Sequence, residues 1–133
     1  MIVSVSTTSE HISQPFWDGT AQGQFRVPEC QACGHRFFGP EPACVRCQSR
    51  KLGWASLDGS GVVYSFTEVH VPPEPGYEVP DVLAVIELDD GPAVFSHLVG
   101  AAAANPRVGM RVTLAFRTGA DGVALPVHVE ASG

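Results

Sequence analysis

Cys30-Gln31-Ala32-Cys33-Gly34-His35 and Cys44-Val45-Arg46-Cys47-Gln48-Ser49, with ten residues between Cys33 and Cys44, decide how this chain is read. A C-x2-C pair in a tight turn aims both sulfurs at one centre, and two such pairs complete a tetrahedral thiolate set. Zinc accepts that set at about 2.3 Å without a geometric demand of its own. Four protein ligands leave no open position, so the expected site is structural rather than catalytic. Gly34 supplies the backbone freedom that the first turn needs. Gln48 stands at the equivalent place in the second, where glycine is commoner. The same ligands also take iron. Two disulfides require an oxidising compartment, and a redox C-x-x-C comes singly at a helix start. Structural zinc on Cys30, Cys33, Cys44 and Cys47 is therefore the expected cofactor. It would supply folding energy that residues 26–54, the ribbon, cannot draw from a core of their own.

On the N-terminal side, Gln14 to Phe25 carries Phe16, Trp17 and Phe25 at spacings that could line one face of a short helix, weakened by Gly19 and Gly23. Residues 1–13 are rich in Ser and Thr without periodicity and are expected to be a loose tail. On the C-terminal side the pattern changes after Trp54. Val62–His70, Asp81–Leu88, Ala93–Val99, Met110–Arg117 and Leu125–Glu130 read as five strands. Asp89-Asp90-Gly91-Pro92 is a hairpin turn, and Val71–Pro80, with four prolines, is a loop. Gly100–Pro106 has room for one helical turn. Five short strands across residues 55–133 suit a small five-stranded barrel, with an OB-fold first and an SH3-like barrel or small sandwich as alternatives. The predicted class is mostly β: a short N-terminal helix, a zinc ribbon, then the barrel.

Charge divides along the same boundary. Residues 26–51 hold five basic and two acidic side chains, net +3, whereas residues 55–133 hold three basic and ten acidic, net −7. An acidic barrel is a poor surface for a phosphate backbone, so nucleic acid is not the expected partner. No run approaches the roughly 18 apolar residues of a membrane span. Met1–Glu10 lacks a basic, then apolar, leader pattern, so a cytoplasmic location is expected.

No nucleophile–base–orienter set emerges. His70, His97 and His128 fall on or beside strands, where a hydrogen-bonded histidine is the ordinary case. Asp89-Asp90 is a hairpin tip, and Gly59-Ser60-Gly61 is a loop rather than a nucleophile elbow. No catalytic residue is assigned. Tyr64, Phe66, Tyr77, Phe95 and Phe116 mostly occupy core-like strand positions. Phe16, Trp17, Phe37 and Phe38 are expected either to pack between ribbon and barrel or to dock on a partner. Arg36, Arg46, Arg50 and Lys51 offset part of the −2 charge of a zinc–tetrathiolate centre, or form an anion site for a phosphate-bearing ligand.

Four segments taken together carry a resemblance: Pro15-Phe16-Trp17; the four cysteines; Leu57-Asp58-Gly59-Ser60-Gly61-Val62-Val63-Tyr64-Ser65-Phe66-Thr67; and Val108-Gly109-Met110-Arg111-Val112. In this order they resemble the family called domain of unknown function 35, over roughly residues 14–130. The resemblance implies an N-terminal helix, a rubredoxin-like zinc ribbon and a C-terminal OB-fold. It also implies a non-catalytic accessory subunit that binds a thiolase-like, aldolase or hotdog hydratase partner in acyl-CoA processing; in such a subunit the basic ribbon residues Arg36, Arg46 and Arg50 are the candidates to face CoA phosphates. The alternative, from OB-folds and ribbons generally, is a single-stranded nucleic-acid-binding module.

Overall fold

The computed structural model describes residues 12–75, 79–119 and 122–131. The expected tail up to residue 11, with His11, and Tyr77 in the proline-rich loop lie outside these residues. Helix α1 spans Gln14–Ala21, with Pro15 in its first turn, where a missing N–H costs nothing. It ends because Gly23 turns left-handed, at φ 73°. Phe25 consequently does not continue the helix. It opens strand β1 (Phe25–Cys30), which pairs antiparallel with β2 (Leu52–Leu57) from Phe25↔Leu57 to Cys30↔Leu52. The two strands clasp the cysteine segment at its ends, and residues 55–57 belong to this ribbon hairpin.

The remaining strands are β3 (Gly61–Val69), β4 (Asp81–Leu88), β5 (Ala93–Leu98), β6 (Arg111–Thr118) and β7 (Ala124–Glu130), with a one-turn helix α2 (Ala101–Ala104) after β5. They close into a barrel in the order β3-β4-β5-β7-β6, the five-stranded OB arrangement. Closure excludes the sandwich. Two seams are narrow: β3 meets β6 at Gly61↔Val112 and Val62↔Arg111, and β5 meets β7 in parallel only at Leu98↔His128. Glycine at 61 serves the first seam, since a Cβ there would lie 2.3 Å from the Glu87 carbonyl oxygen.

Val63, Ile86, Val94, Leu98 and Val112 fill the barrel, and one continuous cluster joins them to Phe16, Phe25 and Val27. Helix, ribbon and barrel therefore share a core. Fully burying a side chain such as Ile86 contributes about 1.5–3 kcal/mol.

The barrel aromatics depart from the expectation that they are internal. Tyr64 is 62% exposed and Phe95 80% exposed, and Phe66 is also exposed. On β5 the inward positions are Val94, Ser96 and Leu98. Ser96 takes an inward place because its hydroxyl lies 2.7 Å from Nδ1 of buried His128, and Phe95 is thereby turned out.

Candidate metal centre and the ribbon surface

The two cysteine turns repeat one geometry. Gly34 N–H donates to the Cys30 carbonyl and Gln48 N–H to the Cys44 carbonyl, both at 2.9 Å. The N–H groups of Ala32 and Cys33 point at Cys30 Sγ, and those of Arg46 and Cys47 at Cys44 Sγ, all at 3.4 Å. Gly34 has φ 78°, and Gln48, the only non-glycine with positive φ among the described residues, has φ 65°. The second turn thus adopts the same left-handed backbone without the residue that suits it.

The four sulfurs all lie within 4.8 Å of one another. Cys30–Cys47 is 3.6 Å and Cys33–Cys44 is 3.7 Å. A tetrahedron with 2.3 Å metal–sulfur bonds has an edge of about 3.8 Å, so the spacing fits a zinc-sized ion. Cys30 and Cys44 are buried, Cys33 is half-buried and Cys47 exposed.

Backbone N–H groups prepare three of these thiols for ionisation. The amide of Cys33 above all lowers Cys30, that of His35 lowers Cys33, and that of Cys47 lowers Cys44. Cys47 resists. The Ser49 amide pulls it down, but contact with Cys30 and the other thiols, together with burial, leaves it pushed up to about 12. A fourth thiolate in this cluster needs a cation to offset it, which is the chemistry a metal supplies. His35 contributes through its backbone, its carbonyl accepting from Cys30 N–H, while its ring stacks on Phe37.

The expected partner-facing aromatics separate into two groups. Phe16 and Phe37 are buried; Phe16 packs edge-on against Trp17, Phe25 and Phe38. Burial removes both from the free surface. Trp17 is half-buried and Phe38 is 42% exposed. Arg36 and Arg46 come together in a cleft of about 700 Å³ between ribbon and barrel, with His35, Phe38 and the Asp90–Ala93 hairpin; Arg50 is exposed and is not among the lining residues. Arg36 Nε donates to Glu29 at 2.7 Å and its Nη1 to the Asp90 carbonyl at 2.7 Å, tying ribbon to barrel. Arg46 Nη2 donates to the Cys33 carbonyl at 3.1 Å. His128, unremarkable as a motif, lies at the centre of a buried network: Nε2 donates to the Gly59 carbonyl at 2.8 Å, which leaves Nδ1 to accept from Ser96. Its β7 position opposite Leu98 was visible in the sequence only as a strand histidine.

Two family models cover most of the chain. One described as "ChsH2, rubredoxin-like zinc ribbon domain" matches residues 17–53, and one described as "ChsH2, C-terminal OB-fold domain" matches residues 54–117. A DUF35 domain-containing scaffold protein of Methanocaldococcus jannaschii is 32% identical over 100 residues, covering 71% of each chain. This chain belongs to the DUF35 family.

The DUF35 chain is also similar to a probable enoyl-CoA hydratase alpha subunit of Thermomonospora curvata, 34% identical over 84% of this chain. It spans only 35% of that relative's length. Among solved structures, a chain of "Ltp2-ChsH2(DUF35) aldolase" superposes with a TM-score of 0.84 at 29% identity, covering 96% of this chain and 100% of that one. The ribbon match and the sulfur geometry agree on the cofactor, structural zinc, and Cys30, Cys33, Cys44 and Cys47 are the residues that could hold it. No helix among the described residues is long and apolar enough to cross a membrane.

Proposed function

We propose that this DUF35 chain is a cytoplasmic, non-catalytic accessory subunit of an acyl-CoA-processing enzyme of the hydratase, aldolase or thiolase-like kind. The observation that carries the reading is the superposition, along nearly the whole of both chains, on the DUF35 chain of a solved aldolase. Two features of the chain support it. Several titratable side chains of the barrel are held in structural contacts: His128 in a buried network, His97 against Asp81 at 2.9 Å, Asp89 in a two-pronged pair with Arg111. Its ribbon is a rigid, metal-dependent mount rather than a reaction centre. Zinc, when bound by the four thiolates, supplies charge neutralisation and a fixed fold. The chain's own residues then present Trp17 and Phe38 toward the partner.

The cleft holding Arg36 and Arg46 is the proposed place for CoA phosphates. Each guanidinium is fixed from behind by one or two hydrogen bonds and keeps further N–H groups free to face an anion. Arg50, outside the lining, has no part in this version of the site.

The test is reconstitution with purified hydratase, aldolase and thiolase-like acyl-CoA enzyme subunits from the organism that makes this chain. The expected result is a complex of defined mass whose turnover exceeds that of the partner alone. If none of these subunits binds the chain or changes its turnover on adding it, the proposal is refuted.

A further inference from the structure

The outer face of the β3-β4-β5 meander exposes an apolar surface that the barrel core leaves uncovered. The register aligns Phe95 with Val85 and Val85 with Ser65. A bulge between Val63 and Ser65 places Tyr64 beside Ser65, where two residues of β3 oppose one of β4. Tyr64, Val85 and Phe95 therefore form one row across three strands. Leu83 and His97 stand in the next row and Glu87 in the row before. Phe95 at 80% exposure and Tyr64 at 62% are large rings on a regular sheet, held there by backbone pairing on both sides of β4.

We infer that this face is a docking site for a protein surface with an apolar centre and a Lys- or Arg-bearing rim. The inference rests on the accessory-subunit reading and adds, to Trp17 and Phe38 of the helix and ribbon, a second contact face for the partner enzyme. Charge decides the occupant. On these strands the three rows contain no Lys or Arg and their one formal charge is the carboxylate of Glu87; on the same face Asp81 meets His97, and Arg111, beside Val62 on β6, is held by Asp89, leaving three carboxylates to one guanidinium. Single-stranded nucleic acid uses aromatic platforms of this kind, but together with a track of free cations, whereas the one guanidinium beside these rows, Arg111, is already paired with Asp89. A second copy would bring two faces of the same acidic balance together, in a chain of net charge −6. Small-molecule sites are concave, and Tyr64, Val85 and Phe95 line neither the Arg36–Arg46 cleft nor the one beside Trp17. A basic-rimmed protein surface satisfies both the rings and the carboxylates.

The test uses the full chain and purified hydratase, aldolase and thiolase-like acyl-CoA enzyme subunits from the same organism, with affinity, salt dependence and melting temperature measured for wild type, Phe95→Ser, Tyr64→Ser and Glu87→Lys. Because these side chains face solvent, the variants are expected to fold as wild type does. Phe95→Ser should weaken the complex about ten-fold or more, and Glu87→Lys should weaken it while flattening its salt dependence. If wild type forms the complex and both ring variants bind equally well, this inference fails and the accessory-subunit proposal stands. If wild type forms no complex, both fail. Loss of self-association, or of poly(dT) binding, in Phe95→Ser with partner affinity unchanged overturns the assignment in favour of a second copy or of nucleic acid.

Discussion

Replacing Gly61 with alanine tests whether the narrow β3–β6 seam sets barrel stability. A Cβ at this position would stand 2.3 Å from the Glu87 carbonyl oxygen and 2.9 Å from Ile86 Cγ2, whereas real Cβ contacts essentially never fall below 3.0 Å. The obstacle is backbone in β4, not the end of a flexible side chain, so the strands must part by at least 0.7 Å, the difference between 3.0 and 2.3 Å. Gly61 is paired on both sides, with Leu88 and with Val112, and a shift toward one partner stretches the other ladder. Overpacking of this kind costs about 1–3 kcal/mol, and one weakened hydrogen bond adds about 1 kcal/mol. The lower chain entropy of alanine when unfolded returns about 0.4–1 kcal/mol. The net loss is roughly 1–3 kcal/mol. With an unfolding entropy of about 2.1 cal/mol/K per residue, near 0.28 kcal/mol/K for this chain, the melting temperature should fall by about 4–11 °C. Thermal unfolding followed by far-ultraviolet circular dichroism reads it directly. Gly91→Ala is the control, since its Cβ would meet Leu57 Cδ1, a side-chain end that can rotate away. A Gly61→Ala protein that melts with wild type, or a Gly91→Ala protein that loses more, would refute the reasoning.

Zinc should be found at one ion per chain by elemental analysis, and Cys33→Ser or strong chelation should abolish it, lose the ribbon and leave the barrel's β signal largely intact. Gln48→Gly should stabilise the metal-loaded chain by about 1 kcal/mol, because it relieves a left-handed non-glycine residue at φ 65°; an unchanged melting temperature would show that the second turn carries no strain. The pH dependence of unfolding should carry the mark of His128, whose pKa burial lowers from 6.5 despite its bond to the Gly59 carbonyl. A depressed histidine is protonated more readily in the unfolded chain, so its contribution is complete above pH 6.5, declines as pH falls below that value and levels off beneath the folded pKa. His128→Gln should remove that segment of the profile; an identical profile in the variant would dismiss the assignment.

The metal centre was legible because four cysteines at fixed spacing specify ligand type, number and turn geometry locally. The five barrel strands were legible for a similar reason, as β-branched runs bounded by glycine, proline and aspartate. The ribbon strands were hidden. β1 reads Phe-Arg-Val-Pro-Glu-Cys, with proline inside it, and it exists through pairing with β2, from which the whole cysteine segment separates it. No local pattern announces a partner that far away. The rings of the barrel failed for a related reason: alternation gives a strand two faces but not the identity of the inner one. Phe95 would be the inward choice on hydrophobicity, yet Ser96 is inside, fixed by a histidine 32 residues later. Tyr64 is displaced by a bulge, which shifts the period by one residue.

The arrangement links the metal centre to the barrel by a short chain of contacts. Phe37 N–H bonds the Pro28 carbonyl of β1, its neighbour Phe38 packs on Phe16 and Phe25, and these rings belong to, or lie against, the core shared with the barrel. Arg36 spans from Glu29 of the ribbon to the Asp90 carbonyl of the β4–β5 hairpin, the hairpin that ends the strand carrying Glu87 and begins the one carrying Phe95. Zinc loss should therefore loosen more than the ribbon, since Arg36 sits three residues from Cys33 and its grip on the hairpin depends on that segment's path. Hydrogen exchange can measure this. Removing zinc is expected to raise exchange at Asp89–Ala93 while Ile86 and Val112 stay protected, and a hairpin whose protection is indifferent to the metal would show that the two units are joined through the aromatic core alone.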